Sequence, residues 1–257
     1  EVPQHAPQTH CAGLDVRRVV DRVARALSRI GFMGKSHHGT DAVASGSAVA
    51  VEVDSLAVQV DSVSLLEPLS FALDAGTATA ITGANGAGKT TLLRAVAGLI
   101  VPTSGSVRVG GLPADERSPA FRRLIAGHIG LASFARDLTL EEQLTMVAVS
   151  WGSEVDAARS AAEALLDKFG LLRLRTRFSH ELSSGQTQMF SLALALARPF
   201  EVLLLDEPEQ RLDKERRAQV AEILRAVVND GKTLVFASHN TTLVDAVSDR
   251  TVAVKRS

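Results

Sequence analysis

The stretch "TATAITGANGAGKTTLLRAVAGL", residues 77–99, decides the fold. Its first residues read as an apolar strand, which runs into a glycine-rich loop and then into a helix with apolar residues. Within the loop, Gly83, Gly88, Lys89 and Thr90 occupy the fixed places of the pattern G-x-x-x-x-G-K-[ST]. The combination predicts a phosphate-binding loop, in which backbone N–H groups and the start of the helix bind the phosphates of a nucleotide.

The same loop provides the candidate nucleotide-binding residues. We expect the ammonium group of Lys89 to reach the outer phosphates and the hydroxyl of Thr90 to ligate Mg²⁺. A chance glycine-rich turn is the alternative, and the strand before the loop and the helix after it both disfavour it. The predicted nucleotide-binding residues are Gly83, Ala84, Asn85, Gly86, Ala87, Gly88, Lys89, Thr90 and Thr91.

A second motif is "VLLLDEP", residues 202–208. Four apolar residues indicate a buried strand, whose end would bring Asp206 to the phosphate side of a parallel sheet. We expect Asp206 to hold Mg²⁺, directly or through water, and Glu207 to polarise the attacking water as a general base. A carboxylate pair on the surface is the alternative, and the phosphate loop upstream weakens it.

A third motif, "TLVFASHN" at residues 233–240, is a strand that ends at His239. The imidazole of His239 is predicted to hydrogen-bond the γ-phosphate or to orient the water. A lone histidine at a strand end is more often structural than catalytic, so this prediction depends on the other two motifs. The predicted catalytic residues are therefore Lys89, Glu207 and His239, and the predicted metal ligands are Thr90 and Asp206.

From about residue 48 onward, strand and helix patterns alternate, and residues 137–180 read as mostly helical. The segment "HIGLAS", residues 128–133, reads as one more buried strand. Strands near both ends with a helical insertion between them predict an α/β fold, with a mainly parallel sheet that carries a helical subdomain.

Residues 1–47 form a distinct N-terminal extension that we expect to be flexible. Its segment "LDVRRVVDRVARALSRIGF", residues 14–32, predicts one basic amphipathic helix. Such a helix binds an anionic membrane or a partner, or it simply exposes its basic face to water. The histidines and the cysteine of this extension match no compact zinc pattern; they are His5, His10, Cys11, His37 and His38.

The bulk properties exclude several function classes. The 257 residues carry a net charge of −1, which argues against nucleic acid as a partner. No apolar run reaches the length of about 18 residues that would cross a bilayer. Cys11 is the single cysteine, so an internal disulfide is excluded.

The segment "ELSSGQTQMF", residues 181–190, places small polar residues before an apolar helix, which predicts a second anion site. With this segment, the resemblance of the chain to a known protein family is plain. The phosphate loop, LSSGQ, VLLLDEP, Leu212-Asp213 and His239 stand in the order and spacing of an ATP-binding cassette (ABC) ATPase domain. The chain resembles that family from about Val51 to Val254, and LSSGQ is similar to the family's signature peptide.

The resemblance implies a P-loop NTPase fold over residues 48–257, with an antiparallel β subdomain and a helical signature subdomain at about residues 135–190. It also implies ATP and Mg²⁺ as cofactors. Two chains, identical or different, would form a dimer in which each signature peptide contacts the nucleotide of the other chain. By the resemblance, the signature residues are Leu182, Ser183, Ser184, Gly185 and Gln186, and the loop crossing the dimer interface holds Leu212 and Asp213.

We therefore expect Ser183, Ser184 and Gly185 to be idle within their own chain. The resemblance further implies the ATP-hydrolysing subunit of a transporter, which powers separate transmembrane permease chains. It would lie in the cytoplasm, peripheral on the inner face of the cell membrane. The alternatives are a soluble ABC-type ATPase and a nucleotide-dependent regulatory switch, neither of them coupled to transport.

The sequence departs from the family pattern at three places. The glutamine that family members carry after the "GHIGLAS" strand is absent, and the alignment puts Phe134 there. Val60 stands near the usual adenine-stacking aromatic, so an aliphatic contact would weaken adenine binding and relax base selectivity. Thr187 replaces a basic residue that often follows the signature.

Overall fold

The computed structural model describes residues 49–130 and 133–255. The predicted N-terminal extension, with its basic helix and its histidines, lies outside the described residues. The boundary that we expect between residues 47 and 48 lies outside them as well.

An antiparallel sheet forms the first layer of the domain. Its strand order is β2-β1-β4-β5. The pairing between β1 and β2 is long and contains several register shifts, which let the sheet curve over its neighbours. The strands are β1 (Val49–Val60), β2 (Val63–Asp74), β4 (Ser104–Val109) and β5 (Leu112–Pro113).

A second sheet of five strands lies at the centre of the domain, in the order β6-β7-β8-β3-β9. Every pairing in it is parallel. Four residues of β7 and all five of β8 are buried, as apolar runs in a sheet covered on both faces require. The strands are β3 (Ala78–Thr82), β6 (Ile125–His128), β7 (Val202–Asp206), β8 (Thr233–Ala237) and β9 (Arg250–Ala253).

Helices cover the parallel sheet and form the helical subdomain. Three of them, α3, α4 and α5, contact one another. The described helices are α1 (Lys89–Val96), α2 (Pro119–Leu124), α3 (Leu140–Ser150), α4 (Val155–Lys168), α5 (Ser184–Leu196), α6 (Lys214–Asn229) and α7 (Thr241–Val247). None of the helices in the described ranges has the length and apolar character that crossing a bilayer requires.

The two faces of the parallel sheet belong to two separate cores. Along β7, Leu203 and Leu205 join the core that includes the helical subdomain, whereas Val202 and Leu204 join the core shared with α1 and the antiparallel sheet. The alternation follows from the period of two along a strand. The central strands therefore connect the phosphate loop to the helical subdomain through direct packing.

The expected mainly parallel sheet, antiparallel subdomain and helical subdomain are all present. The bounds of one predicted strand are wrong: β6 begins at Ile125 and ends at His128, whereas the prediction placed the strand at residues 128–133. The strand runs from the Ile125–Val202 pair to the His128–Leu205 pair. The sequence patterns also did not predict β4, β5, β9, α2, α6 or α7.

The close approach of β4 to β1 at the bulge between them can be tested by adding a side chain at Gly105. Gly105 has φ of +78°, and a Cβ there would lie 2.3 Å from the carbonyl oxygens of Asp54 and Ser55. Gly111 has nearly the same φ, +77°, but no atom lies within 4 Å of its Cβ position. Both alanine variants should lose about 1–2 kcal/mol of unfolding free energy from the backbone conformation. Gly105→Ala should lose about 1–3 kcal/mol more, because of the clash.

Urea denaturation of the two variants measures this difference. Gly111→Ala is the matched control, because it has the same backbone strain without the contact. Equal losses for both variants would contradict the close approach of β4 to β1.

Candidate active site

The phosphate loop connects β3 to α1 and is shaped by a tight contact with β2. Gly88, the N-cap of α1, has φ of +99°. A Cβ at this position would lie 2.5 Å from the carbonyl oxygen of Leu65, so a glycine is required. The N-terminal N–H groups of α1 consequently border the loop and are available to an anion.

The side chain of Lys89 extends across this loop to its first residues. Its side chain is buried, and its ammonium group donates to the carbonyl oxygens of Gly83 at 2.9 Å and Ala84 at 3.1 Å. These bonds hold the positive charge beside the backbone that is predicted to surround the phosphates. A buried ammonium with neutral partners favours an anionic ligand nearby, because the anion would offset its desolvation.

Thr90 and Asp206 meet at the carboxyl end of β7. The hydroxyl of Thr90 donates to Oδ2 of Asp206 at 2.7 Å. A hydroxyl and a carboxylate in contact are oxygen ligands of the kind that Mg²⁺ prefers, with phosphate oxygens and water completing its shell. In residues 49–130 and 133–255, no group of three or more His, Cys, Asp or Glu side chains could hold a metal by itself. The donor set thus fits Mg²⁺ bound together with a phosphorylated ligand.

Glu207 and His239 lie in the loops that follow β7 and β8, and they form a hydrogen-bonded pair. The prediction that the second strand ends at His239 is wrong, because β8 ends at Ala237. Oε1 of Glu207 lies 3.0 Å from Nδ1 of His239. The backbone N–H of Glu207 donates to the carbonyl oxygen of Ala237 at 2.9 Å, which fixes the two strand ends side by side. Glu207 has φ of +48°, a conformation that costs a side-chain-bearing residue about 1–3 kcal/mol. Strain of this kind is common where a side chain must be aimed at a reacting group.

Four of the predicted catalytic and metal-binding residues, Thr90, Asp206, Glu207 and His239, line one open cavity of about 560 Å³, whereas Lys89 does not line it. Gln188 of α5 also lines it and donates to the carbonyl oxygen of Pro208 at 3.2 Å. The walls of the cavity therefore come from the phosphate loop, from the ends of β6 and β7, and from the helical subdomain. Among its lining residues are Asn85, Thr90, Asp206, Glu207, Gln188 and His239.

His128 lines the same cavity and is not among the site residues predicted from the sequence. It is the last residue of β6, opposite Leu205 in the parallel register. Burial lowers the pKa of the His128 imidazole, and the carboxylate of Asp206 partly opposes that effect. The pattern "IAGH", with a polar residue at the end of a short apolar run, was the available signal.

The signature residues 182–186 lie apart from the cavity of their own chain, which is lined by Thr187 and Gln188 instead. Ser183 is the N-cap of α5: its hydroxyl accepts from the N–H of Gln186 at 3.3 Å, and the Gln186 side chain accepts from the Ser183 N–H. Ser183 therefore has a structural role in its own chain, since this capping box stabilises the helix, and its lack of a role at its own chain's nucleotide stays a prediction. Ser183 and Ser184 remain exposed to solvent.

Gly185 and the Leu212-Asp213 pair connect the signature to α6. Gly185 is buried, and a Cβ there would lie 2.9 Å from Nη1 of Arg216. Asp213 is the N-cap of α6 and accepts from the N–H of Arg216 at 2.8 Å, whereas Leu212 packs in the core. The side chain of Asp213 is 61% exposed, so most of its carboxylate remains accessible at the surface.

The three departures from the family pattern have distinct surroundings. Phe134 does not directly follow β6; its ring packs on Phe190 with centroids 5.5 Å apart. The residues that follow β6, Ile129 and Gly130, likewise carry no amide side chain. Val60 is 52% exposed at the end of β1. The Thr187 hydroxyl donates to the carbonyl oxygen of Ser183 at 2.9 Å.

Residues 66–210 match the family model described as ABC transporter. The cytochrome c biogenesis ATP-binding export protein CcmA of Pseudomonas putida is 40% identical over 179 residues, which are 69% of this chain and 83% of that protein. A protein of Streptomyces coelicolor that is named as an ABC transporter ATP-binding protein is 35% identical over 206 residues, which are 79% of this chain. This chain spans 36% of the length of that second relative.

The fold agrees with these similarities. A solved structure, the ATP-binding subunit of an ABC transporter, superposes with a TM-score of 0.72 and 26% identity, covering 80% of this chain and 85% of that one. The family model includes the phosphate loop, the signature and the end of β7, and the structure confirms the α/β fold of a P-loop NTPase. The chain belongs to the ABC transporter family.

Proposed function

We propose that this chain hydrolyses MgATP at the cavity between the phosphate loop and β7, and that hydrolysis powers transport through separate membrane-spanning chains. The observation that carries the proposal is the convergence of four side chains on one cavity. Thr90 contacts Asp206, and Glu207 contacts His239, at the ends of neighbouring parallel strands. The hydroxyl–carboxylate pair would hold Mg²⁺, and the acid–imidazole pair would orient and deprotonate the water that attacks the phosphate.

In this proposal the loop N–H groups and Lys89 bind the triphosphate, and Thr90 and Asp206 hold Mg²⁺. When bound, the ion neutralises charge between the outer phosphates. Glu207 accepts the proton of the attacking water, and His239, hydrogen-bonded to Glu207, orients the water or the γ-phosphate. Positioning and charge stabilisation together supply most of the catalysis in phosphoryl transfer.

We infer that two chains complete each site. Ser183 and Ser184 are exposed, and the signature residues do not line their own cavity. The start of α5 therefore has N–H groups and hydroxyls available for the γ-phosphate of a nucleotide on a second ABC subunit, identical or different. Asp213, mostly exposed at the start of α6, belongs to the loop that would cross this interface.

The proposed partners are transmembrane permease chains, with the ATPase on the cytoplasmic face of the membrane. A homologue described as an ATP-binding export protein supports this assignment. The net charge of −1 gives no support for nucleic acid as a partner. ATP binding would bring two subunits together and hydrolysis would let them separate, which moves the permease chains.

Glu207→Gln tests the hydrolytic role. The amide has nearly the same shape but does not accept a proton, so the hydrolysis rate should fall by at least about 100-fold. ATP affinity, measured with a fluorescent analogue, should change less than about threefold. Phosphate release in the presence of Mg²⁺ measures the rate. A mutant that hydrolyses ATP at the wild-type rate would exclude Glu207 as the general base.

Ser183→Arg tests the shared site. The large cation should leave nucleotide binding by the monomer within about twofold but abolish ATP-dependent dimerisation and turnover. It also removes a helix cap, which costs about 1 kcal/mol. Thr139→Arg is the control for that loss, because Thr139 forms the equivalent capping box at α3. Light scattering with ATP measures dimerisation. If nucleotide binding by the Ser183→Arg monomer fell as much as dimerisation does, Ser183 would not be assigned to a site shared between two chains.

Affinity purification of the full-length chain from detergent-extracted membranes tests the transport role. We expect at least one multi-spanning membrane protein to co-purify in stoichiometric amount and to stimulate ATP hydrolysis. ATP hydrolysis with no membrane partner at all would favour a soluble ABC-type ATPase or a regulatory switch instead.

A further inference from the structure

The carboxyl group of Glu209 is buried beside the proposed site without lining its cavity. Glu209 is 5% exposed and follows Glu207 by two residues. Its Oε1 accepts a hydrogen bond from the hydroxyl of Ser238, which is 1% exposed and directly precedes His239. Ser238 Oγ in turn accepts from the N–H of Asn240 at 3.0 Å. The Glu209 carboxyl is thus linked to residues on both sides of His239.

Stability alone does not explain a glutamate at this position. Burial raises the pKa of the Glu209 carboxyl, and the carboxylate of Glu207 raises it further; the Ser238 hydroxyl, its own backbone N–H and His239 oppose this. Its Oε2 is also buried and has no hydrogen-bond partner within the described part of the chain. A polar atom in this state costs about 1–3 kcal/mol, a penalty that an apolar side chain of similar volume avoids.

The hydrogen bond from Ser238 to the Glu209 carboxyl helps to fix the position of the loop after β8 relative to the loop after β7. The loop after β7 is joined at two points to the end of β8 and the loop that follows it: the N–H of Glu207 donates to Ala237, the last residue of β8, and Glu209 accepts from Ser238. The contact of 3.0 Å between Glu207 and His239 is made by the same two loops. Two bonds between the loops restrict the rotation and sliding that a single bond would allow.

Asn240 extends this arrangement into α7. Its side chain accepts from the N–H of Leu243 at 3.0 Å and so caps the helix, while its own N–H is bonded to Ser238. His239 therefore lies between a residue fixed to Glu209 and a residue fixed to a helix. Its own side chain is 62% exposed and has little packing to hold it.

We propose that Glu209 is a positioning residue for hydrolysis: by holding Ser238, it fixes His239 relative to Glu207. The inference rests on the proposed roles of Glu207 and His239. Glu209 touches neither nucleotide nor water in this account and acts only through the two loops. Its effect should consequently fall on the rate of the chemical step rather than on ATP affinity.

Glu209→Ala and Glu209→Gln in the full chain test the proposal. Removing the acceptor should lower kcat by about tenfold or more, since a small misplacement of a catalytic group has effects of that size. KM and the affinity for a fluorescent ATP analogue should stay within about twofold. Glutamine retains an acceptor oxygen for Ser238, so kcat of Glu209→Gln should stay within about threefold of wild type.

Ser238→Ala breaks the same bond from the other side with a smaller change of volume. It should lower kcat as Glu209→Ala does, and the double variant should be no slower than either single variant, because one interaction is lost in all three. This variant also keeps the proposal testable where Glu209→Ala does not fold.

Wild-type kcat in both Glu209→Ala and Ser238→Ala would overturn the inference, as would a glutamine variant as slow as alanine or an equal loss of kcat and affinity. Glu207→Gln separates this result from a failure of the proposed function. Loss of hydrolysis in Glu207→Gln with normal rates in the Glu209 variants refutes only the positioning role. Hydrolysis that survives in Glu207→Gln refutes the assignment on which that role rests.

Discussion

The parallel pairing of β7 with β8 is the constraint on which the proposed site depends. Asp206 lies opposite Ala237 in this register, so the residues that follow each strand emerge at the same edge of the sheet. Glu207 and His239, 32 positions apart in the chain, come within hydrogen-bonding distance for that reason. A shift of one residue in the pairing of β8 with β7 would turn each side chain of β8 toward the opposite core. It would also separate Glu207 from His239.

Two charged side chains at the proposed site are buried. Lys89 and Glu209 are both buried, although lysine and glutamate are almost never fully buried unless paired. Each has hydrogen-bond partners that only partly offset its desolvation: backbone carbonyls for Lys89, and one hydroxyl for an oxygen of Glu209. The core around them is apolar and tightly packed, so these residues are held in fixed positions at some cost in stability.

The sequence was informative where structure is set locally. The phosphate loop, β7 and β8 follow from short-range patterns: a glycine spacing, and apolar runs that end in polar residues. The bounds of β6 depend on pairing with β7, and β9 pairs with β3, more than 150 residues earlier in the chain, so no local pattern defined them. The same holds for His128 and for the bond between Glu209 and Ser238, which need the tertiary register before they can be seen.

In the proposed dimer, Ser183 would have one role within its chain and another between chains. Its hydroxyl caps α5 by accepting from the N–H of Gln186 at 3.3 Å, and the side chain is exposed. The cap uses a lone pair of the hydroxyl, so its proton would stay available to a phosphate oxygen on a neighbouring subunit. The capping box also keeps the first turn of α5 in helical geometry before that neighbour arrives. Preorganisation of this kind lowers the entropy lost on association, and in the proposed dimer it would let a single helix start serve both the stability of the monomer and the assembly of a shared site.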